Sequence, residues 1–335
     1  MDSLKWGILG TGYIANNFAD CMTLVPEAIP AAVTGTSIEK AKGFAEKHGF
    51  AMCFDNFDKM LEESDIDIVY VAVQNNLHLE FVLKALGAGK HVLCEKPIAD
   101  NLGQLNKMIG KAREKGLFLM EGMWTRCFPA VRKAKEWIDE GRIGQIRSVR
   151  ADFGLKAVPG WQAWKAKAEF SGGAIRDVGI YALAMAFLGY NGESPKEIIS
   201  TYMLKYGADY HSEILLKYDD SRTAFLTGSF NMVTDHHAIF YGDNGVITLG
   251  PKMWSPIYAR LYLYDQGDEF SRIESDVFTD DYISGGMQYE ISHVIDCISN
   301  GKKESNLFPL SESIEIMKVI DSLRKEWGVR YSSDV

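Results

Sequence analysis

Gly7-Ile8-Leu9-Gly10-Thr11-Gly12-Tyr13-Ile14-Ala15 is the stretch whose reading decides the fold. It carries G-x-G-x-x-A directly after a strand-like run at 4–9 and at the opening of a helix-like run at 14–24. In a dinucleotide-binding turn each small residue has a physical task. Gly10 permits the tight turn, Gly12 lets the backbone approach a pyrophosphate, and Ala15 lets the helix pack closely on the strand. The helix N-terminus, with Thr11, Tyr13 and Ile14 around it, then offers free N–H groups and partial positive charge to phosphates. A glycine at a strand–helix turn is also a common structural device. Here the motif stands at the start of a βαβ pattern, and that context favours cofactor binding.

Working outward, strand-like runs at 31–34, 51–54, 66–73, 91–94 and 117–121 alternate with helix-like runs at 39–47, 56–63, 79–88 and 102–115. Such alternation implies a parallel sheet with helices on both faces, and apolar strands such as 68–73 suit burial on both sides. A helix at 129–140 and a turn at Gly141 and Gly144 follow. From about Ile146 longer strand-like stretches dominate, at 146–153, 198–205, 212–218, 222–230, 238–242, 246–249 and 260–264. Turn signals between them, such as Asp219-Asp220, favour antiparallel neighbours. Helices at about 287–299 and 310–327 end the chain. The predicted fold class is α/β. An N-terminal Rossmann, doubly wound parallel sheet spans 1–122. A C-terminal α+β substrate and dimerisation domain with a large, mostly antiparallel open sheet spans 123–335, its last helices free to pack back on the first domain.

Whole-chain properties narrow the function classes. A length of 335 residues favours two domains, and 47% hydrophobic with 24% charged residues is ordinary globular composition. A net charge of -9 argues against a general nucleic-acid binder. Cys21, Cys53, Cys94, Cys127 and Cys297 are odd in number and scattered without a CxxC pair, which fits reduced thiols in a cytoplasmic protein. The sequence shows no signal-peptide pattern and no run of ~20 apolar residues, so no membrane association is expected. No metal site is expected either. His236-His237, the one adjacent histidine pair, reads as ordinary strand residues facing opposite ways.

Three further segments bear on chemistry. After the second strand, Thr34-Gly35-Thr36-Ser37-Ile38-Glu39-Lys40 has no acid at the strand tip to hold a ribose 2′-hydroxyl. Thr36, Ser37 and Lys40 suit a 2′-phosphate instead, which favours NADP over NAD; alternatively Ser37 only caps a helix. In Cys94-Glu95-Lys96-Pro97, Lys96 stands at the carboxyl end of a parallel strand, where open α/β sheets bind ligands. A cis Lys-Pro bond would aim the side chain, and the plainer reading is a surface lysine. In Ser171-Gly172-Gly173-Ala174-Ile175-Arg176-Asp177-Val178-Gly179-Ile180-Tyr181, two glycines open a helix-like segment that puts Asp177 and Tyr181 on one face. An acid and a phenol beside a lysine form a proton-transfer set, because a nearby ammonium favours tyrosinate. The plainer reading is a helix cap and a core tyrosine.

Together these motifs resemble the glucose–fructose oxidoreductase / inositol dehydrogenase (Gfo/Idh/MocA) family over essentially the whole chain. Gly89-Lys90-His91-Val92-Leu93-Cys94-Glu95-Lys96-Pro97, Gly286-Met287-Gln288-Tyr289-Glu290 and Pro309-Leu310-Ser311-Glu312-Ser313 add to the likeness. Glu121-Gly122-Met123-Trp124-Thr125-Arg126 and Tyr181 point to the branch of dimeric dihydrodiol dehydrogenases and D-xylose dehydrogenases. The resemblance implies a catalytic pair Lys96 and Tyr181, with Asp177 orienting a substrate hydroxyl. It also implies Trp124 and Phe153 as pocket walls and NADP as the usual cofactor. Val73-Gln74-Asn75-Asn76-Leu77-His78 departs from the family's Thr-Pro-Asn-His-x-His. It keeps Asn75 and His78, which with Val73, Glu95 and Lys96 complete the expected cofactor contacts. The branch's arginine after the second strand is missing, with Gly35-Thr36 in its place.

The expected activity is an NAD(P)-dependent dehydrogenase acting on CH-OH or CH-CH groups of a sugar, polyol or trans-dihydrodiol. Tyr181 takes the hydroxyl proton, Lys96 supports it, and a hydride passes to the nicotinamide. Trp161 and Trp164 add to the aromatic residues available for a pocket. A catalytically silent cofactor-binding sensor and a lyase or hydrolase using bound NAD transiently are the competing readings. Homodimerisation through the C-terminal sheet is implied by the resemblance. Leu226, Phe230, Phe240, Leu261 and Leu263 are its candidate apolar face, and a buried intramolecular face is the alternative.

Overall fold

The computed structural model describes residues 3–158, 163–280 and 285–334, and the counts and absences below refer to these. In chain order the strands are β1 (Leu4–Leu9), β2 (Ala28–Thr34), β3 (Met52–Phe54), β4 (Ile68–Val71), β5 (His91–Glu95), β6 (Leu119–Gly122), β7 (Ile146–Gly154), β8 (Glu197–Lys205), β9 (Ala208–Lys217), β10 (Thr223–Ser229), β11 (Ala238–Gly242), β12 (Gly245–Leu249), β13 (Tyr258–Tyr264) and β14 (Arg272–Thr279). The helices are α1 (Tyr13–Met22), α2 (Ile38–His48), α3 (Phe57–Glu63), α4 (His78–Gly87), α5 (Leu102–Lys115), α6 (Pro129–Asp139), α7 (Ile180–Gly189), α8 (Met287–Ser299) and α9 (Leu310–Trp327). The chain divides into two compact units. One comprises Met1–Trp124 with Ile283–Ile314, the other Thr125–Tyr282 with Glu315–Val335.

The first unit holds a six-stranded sheet in the order β3-β2-β1-β4-β5-β6, all parallel. All of β4 is buried, as expected of a strand covered on both faces. Side-chain oxygens of Ser37, Asn56 and Asn101 cap α2, α3 and α5, satisfying N–H groups that have no partner within the helix. The strand order reverses at β1, which pairs with β2 on one side and β4 on the other. That switch point is where this class of sheet binds ligands, beyond the carboxyl ends of the strands. β2 starts at Ala28, earlier than its apolar pattern suggests, and its pairing with β1 shifts by one residue after Pro30, between Trp6 and Gly7. α8 packs on α1 within this unit.

The second unit holds an eight-stranded sheet in the order β14-β13-β12-β11-β7-β10-β9-β8. β7 and β10 run parallel and the other neighbours antiparallel. α6 lies on β12, β13 and β14, and α7 on β7, β10 and β11. This settles which face of the sheet is core. Leu226, Phe230, Phe240 and Leu261 are at most 2% exposed, so they are the intramolecular face and not the free apolar face proposed for dimerisation; Leu263 is half-buried. The outward side chains are of another kind, with Arg150 lying over exposed Phe225 and over Tyr241.

Two further expectations change. β14, unseen in the sequence, is a charged and largely exposed edge strand paired only to β13, so it lacks an apolar alternation. His236 and His237 lie outside any strand; His236 has φ +61° and its backbone N–H bonds Asp152. The loop lets Asp152 take the donors of both residues, which a strand ladder would have consumed.

Candidate active site

The dinucleotide turn sits at the switch point of the first sheet. Gly10 has φ +116°, and a Cβ there would lie 2.3 Å from the Ala72 carbonyl oxygen, so only glycine fits between β1 and β4. Gly12 precedes α1, is exposed, and would place a Cβ with nothing within 4 Å. No side chain caps α1, which leaves its first-turn N–H groups available to an anion. Ala15 is fully buried, as close helix packing requires, whereas Tyr13 is 70% exposed. Asn16, absent from the sequence-based set, fixes the turn by donating to the Thr11 and Gly12 carbonyls. Its oxygen in turn meets Lys47 Nζ at 2.8 Å and His48 Nε2 at 2.9 Å. These features fit a bound pyrophosphate.

At the tip of β2, Ser37 accepts the Lys40 backbone N–H and caps α2, while Lys40 Nζ donates to Thr36 Oγ1 at 3.2 Å. The capping role and a cationic hydroxyl cluster therefore coexist at one exposed corner. Glu39 is the nearest acid, one helical position in. Its own backbone N–H and the Ser37 hydroxyl hold its carboxyl below the usual range.

Lys96 follows β5 and is half-buried on a fixed backbone, with a cis Lys96-Pro97 peptide. Glu95 is buried; its carboxylate accepts the Tyr70 hydroxyl and the Lys96 backbone N–H. Fully buried His78 bridges the Pro97 carbonyl at 3.0 Å and the Val73 carbonyl at 3.2 Å. It thus braces the lysine turn against the segment after β4, which carries half-buried Val73 and Asn75. Beneath lies Glu290 of α8, fully buried, neither of its oxygens finding a partner among the described residues. Burial, and then the charge of Glu95, push the Glu290 carboxyl well up; burial first, and then Glu95, does the same to the Tyr70 phenol.

In the second unit a π-helical turn, Ile175–Gly179, precedes α7 and carries Asp177; Tyr181 opens α7 and is buried. Single π turns of this kind recur at functional sites. Asp177 pairs with Lys165 Nζ at 3.2 Å. The Tyr181 ring lies 5.8 Å from Phe153, and Phe153 stacks on Trp254 with centroids 3.7 Å apart and planes at 8°. His236 meets both rings edge-on, its Nε2 bonded to the Gly154 carbonyl. Phe153 and Tyr181 are thus brought together as expected. Lys165, Trp254 and His236 join them without a local sequence signal. Trp124 is half-buried at the end of the first unit's leading segment, Trp164 is half-buried in the second unit, and Trp161 falls outside the described residues. A carboxyl group paired with a lysine, a phenol and flat apolar rings in one unit can hold hydroxyl groups and the C–H face of a polyhydroxylated ring.

Residues 4–123 match the model of an oxidoreductase family with an NAD-binding Rossmann fold, and residues 131–248 match the GFO/IDH/MocA C-terminal domain. The chain is 30% identical over 331 residues to trans-1,2-dihydrobenzene-1,2-diol dehydrogenase of Xenopus tropicalis, covering 98% of this chain and 99% of the relative. A 3-ketoreductase from Actinomadura kijaniata, solved with NADP, superposes with a TM-score of 0.83 at 25% identity, covering 97% and 98% of the two chains. Levoglucosan dehydrogenase, solved with NADH and levoglucosan, gives a TM-score of 0.87 at 19% identity, covering 98% of each chain, and shares the fold. With both halves matched and the glycine turn, the lysine turn and the Asp177–Tyr181 segment in place, the chain belongs to the Gfo/Idh/MocA family and is an NAD(P)-dependent oxidoreductase.

Proposed function

We propose that the protein is a dehydrogenase that interconverts a hydroxyl-bearing carbon and its carbonyl in a sugar, polyol or trans-dihydrodiol. The observation that carries this reading is the stacked pair Phe153–Trp254 beside Tyr181 on the same unit as the Lys165-paired carboxylate of Asp177. Flat apolar walls next to an acceptor and a phenol select a ring that bears hydroxyls, as in the diol of the named relatives. The nicotinamide, when bound, supplies the hydride acceptor for oxidation and the donor for reduction.

Tyr181, reacting as the phenolate, takes the proton of the reacting hydroxyl and becomes the phenol; Lys96, its partner in the catalytic pair that the family resemblance implies, favours the phenolate form through its ammonium. Asp177, paired with Lys165, accepts a neighbouring substrate hydroxyl and sets its orientation. The family resemblance adds Trp124 as a substrate-contacting residue. Gly10, Thr11, Gly12, Tyr13 and Ile14 hold the pyrophosphate, and Val73, Asn75, Glu95 and Lys96 line the ribose and nicotinamide end. His78 serves that end through the two backbone segments it bridges. NADP is the favoured cofactor, its 2′-phosphate taken by Thr36, Ser37 and Lys40. The protein works as a cytoplasmic homodimer, whose five free thiols stay reduced there and whose outer sheet face around Arg150, Phe225 and Tyr241 is the subunit interface.

Tyr181→Phe tests the proton assignment. Turnover should fall ~10²–10⁴-fold while NADPH affinity, read by fluorescence titration, stays at the wild-type value. Wild-type turnover in this variant overturns the assignment.

A further inference from the structure

The segment that carries Asp177 and Tyr181 is held by the end of the chain. Within the second unit, the Tyr331 hydroxyl donates to the Gly172 carbonyl at 2.7 Å. The Tyr331 ring lies 3.7 Å from the Arg324 guanidinium carbon and 5.2 Å from that of Arg176. Arg324 is tied to Asp321 at 3.1 Å and to Asp334, and Asp334 also accepts the Tyr331 backbone N–H at 2.8 Å. Fully buried Arg176 donates to the Ser171 carbonyl at 3.0 Å. From β9, the buried carboxylate of Asp209 accepts the backbone N–H of Ile175, the first residue of the π turn, at 2.6 Å. Gly173 has φ +138°, and a Cβ on it would come within 2.3 Å of the other Asp209 oxygen.

These bonds converge on 171–175, a stretch that needs them. Two adjacent glycines have no intrinsic preference for the observed path, and a single π turn is a rare departure from the α-helix it precedes. Lys165 ties the same stretch to the acid, since its carbonyl accepts the Gly173 N–H at 2.8 Å while its ammonium pairs with Asp177. A displacement of the turn by an ångström would re-aim both Asp177 and Tyr181, and misplacement on that scale costs ~10²-fold in rate.

We infer that Tyr331, braced by Arg324, and Asp209 form a latch that fixes the π turn and thereby aims Asp177 and Tyr181, acting as positioning residues for catalysis. The inference rests on the proposed roles of those two residues. Arg176 joins the latch through Ser171.

The test is a mutant cycle in the full-length protein with a polyhydroxy substrate and NADP. Tyr331→Phe keeps the ring beside the two guanidiniums and removes the hydroxyl that bonds Gly172. It should lower kcat ~10-fold with NADPH affinity unchanged and the fold intact, and most of that loss should vanish in the Tyr181→Phe background, because the latch works through the residue already removed. Asp209→Asn, which can still accept the Ile175 N–H, should retain more activity than Asp209→Ala. An unchanged kcat in Tyr331→Phe, or an equal loss in both backgrounds, overturns the latch even where Tyr181→Phe alone is impaired. Wild-type turnover of Tyr181→Phe overturns the site assignment itself, and the latch with it.

Discussion

At Gly10 the backbone adopts φ +116° with the Ala72 carbonyl occupying the space a side chain would need. Gly10→Ala should therefore destabilise the protein by at least ~1–3 kcal/mol and weaken NADPH binding, as thermal denaturation and fluorescence titration would register; wild-type values in both would mean the turn is not built as described. Asp209 gives a pH-dependent prediction. Burial raises its carboxyl to about 7, against the pull of the Ile175 N–H, Arg176 and Arg324. An acid whose folded pKa is raised binds its proton more tightly when folded, so its favourable contribution is complete below the unfolded pKa of ~3.9 and is lost as pH rises towards 7. Urea denaturation of Asp209→Asn from acid to neutral pH should show a flatter stability profile than wild type. Parallel profiles would contradict the assignment. At this scale the glycine turn was legible: the positive φ of Gly10 and the burial of Ala15 follow from one short pattern, whereas Lys96, Asp177 and Tyr181 each admitted a plainer structural reading. Trp254, His236 and Glu290 were not legible. Trp254 and His236 owe their place to Phe153, far away in sequence, and Glu290 to its burial under the lysine turn.

Among the elements, the β1–α1 unit and the strands with a clean apolar period were readable, whereas the π turn and α7 were read only as one helix-like segment. All of α7 is buried, so it has no polar face from which a 3.6-residue period could be recognised. The π turn inserts a residue that no period announces, and β14 hides behind its charges. The start of α2 is the element on which cofactor choice turns. There Ser37 both caps the helix and neighbours the Thr36–Lys40 pair, two roles that sequence reading set against each other. Lys40→Ala should weaken NADPH binding about tenfold, the loss of one charge-assisted contact, and leave NADH unaffected. Equal effects on both cofactors in a fluorescence titration would remove Lys40 from the phosphate site.

For the whole molecule, the change from alternating helices and strands to successive strands near Ile146 correctly foretold a parallel sheet followed by a mostly antiparallel one. Which face of the second sheet is core was not readable, because both faces carry large side chains. The helices that cover one of them are separated from its strands in sequence. That correction moves the proposed subunit interface to the Arg150, Phe225 and Tyr241 side. Phe225→Glu should yield a monomer in sedimentation velocity, and an unchanged assembly would place the interface elsewhere.

Oxidation of a hydroxyl of a polyhydroxylated small molecule, with Tyr181 as proton acceptor, is the proposal on which the other assignments depend. Its most direct test is the absorbance-monitored reduction of NADP by purified wild-type and Tyr181→Phe protein across aldoses, polyols and trans-dihydrodiols. Saturable NADPH formation is expected with at least one of these substrates, with its near-complete loss in the variant, which still binds NADPH. Tight NADPH binding with no turnover of any substrate class, or equal turnover by both proteins, would contradict it.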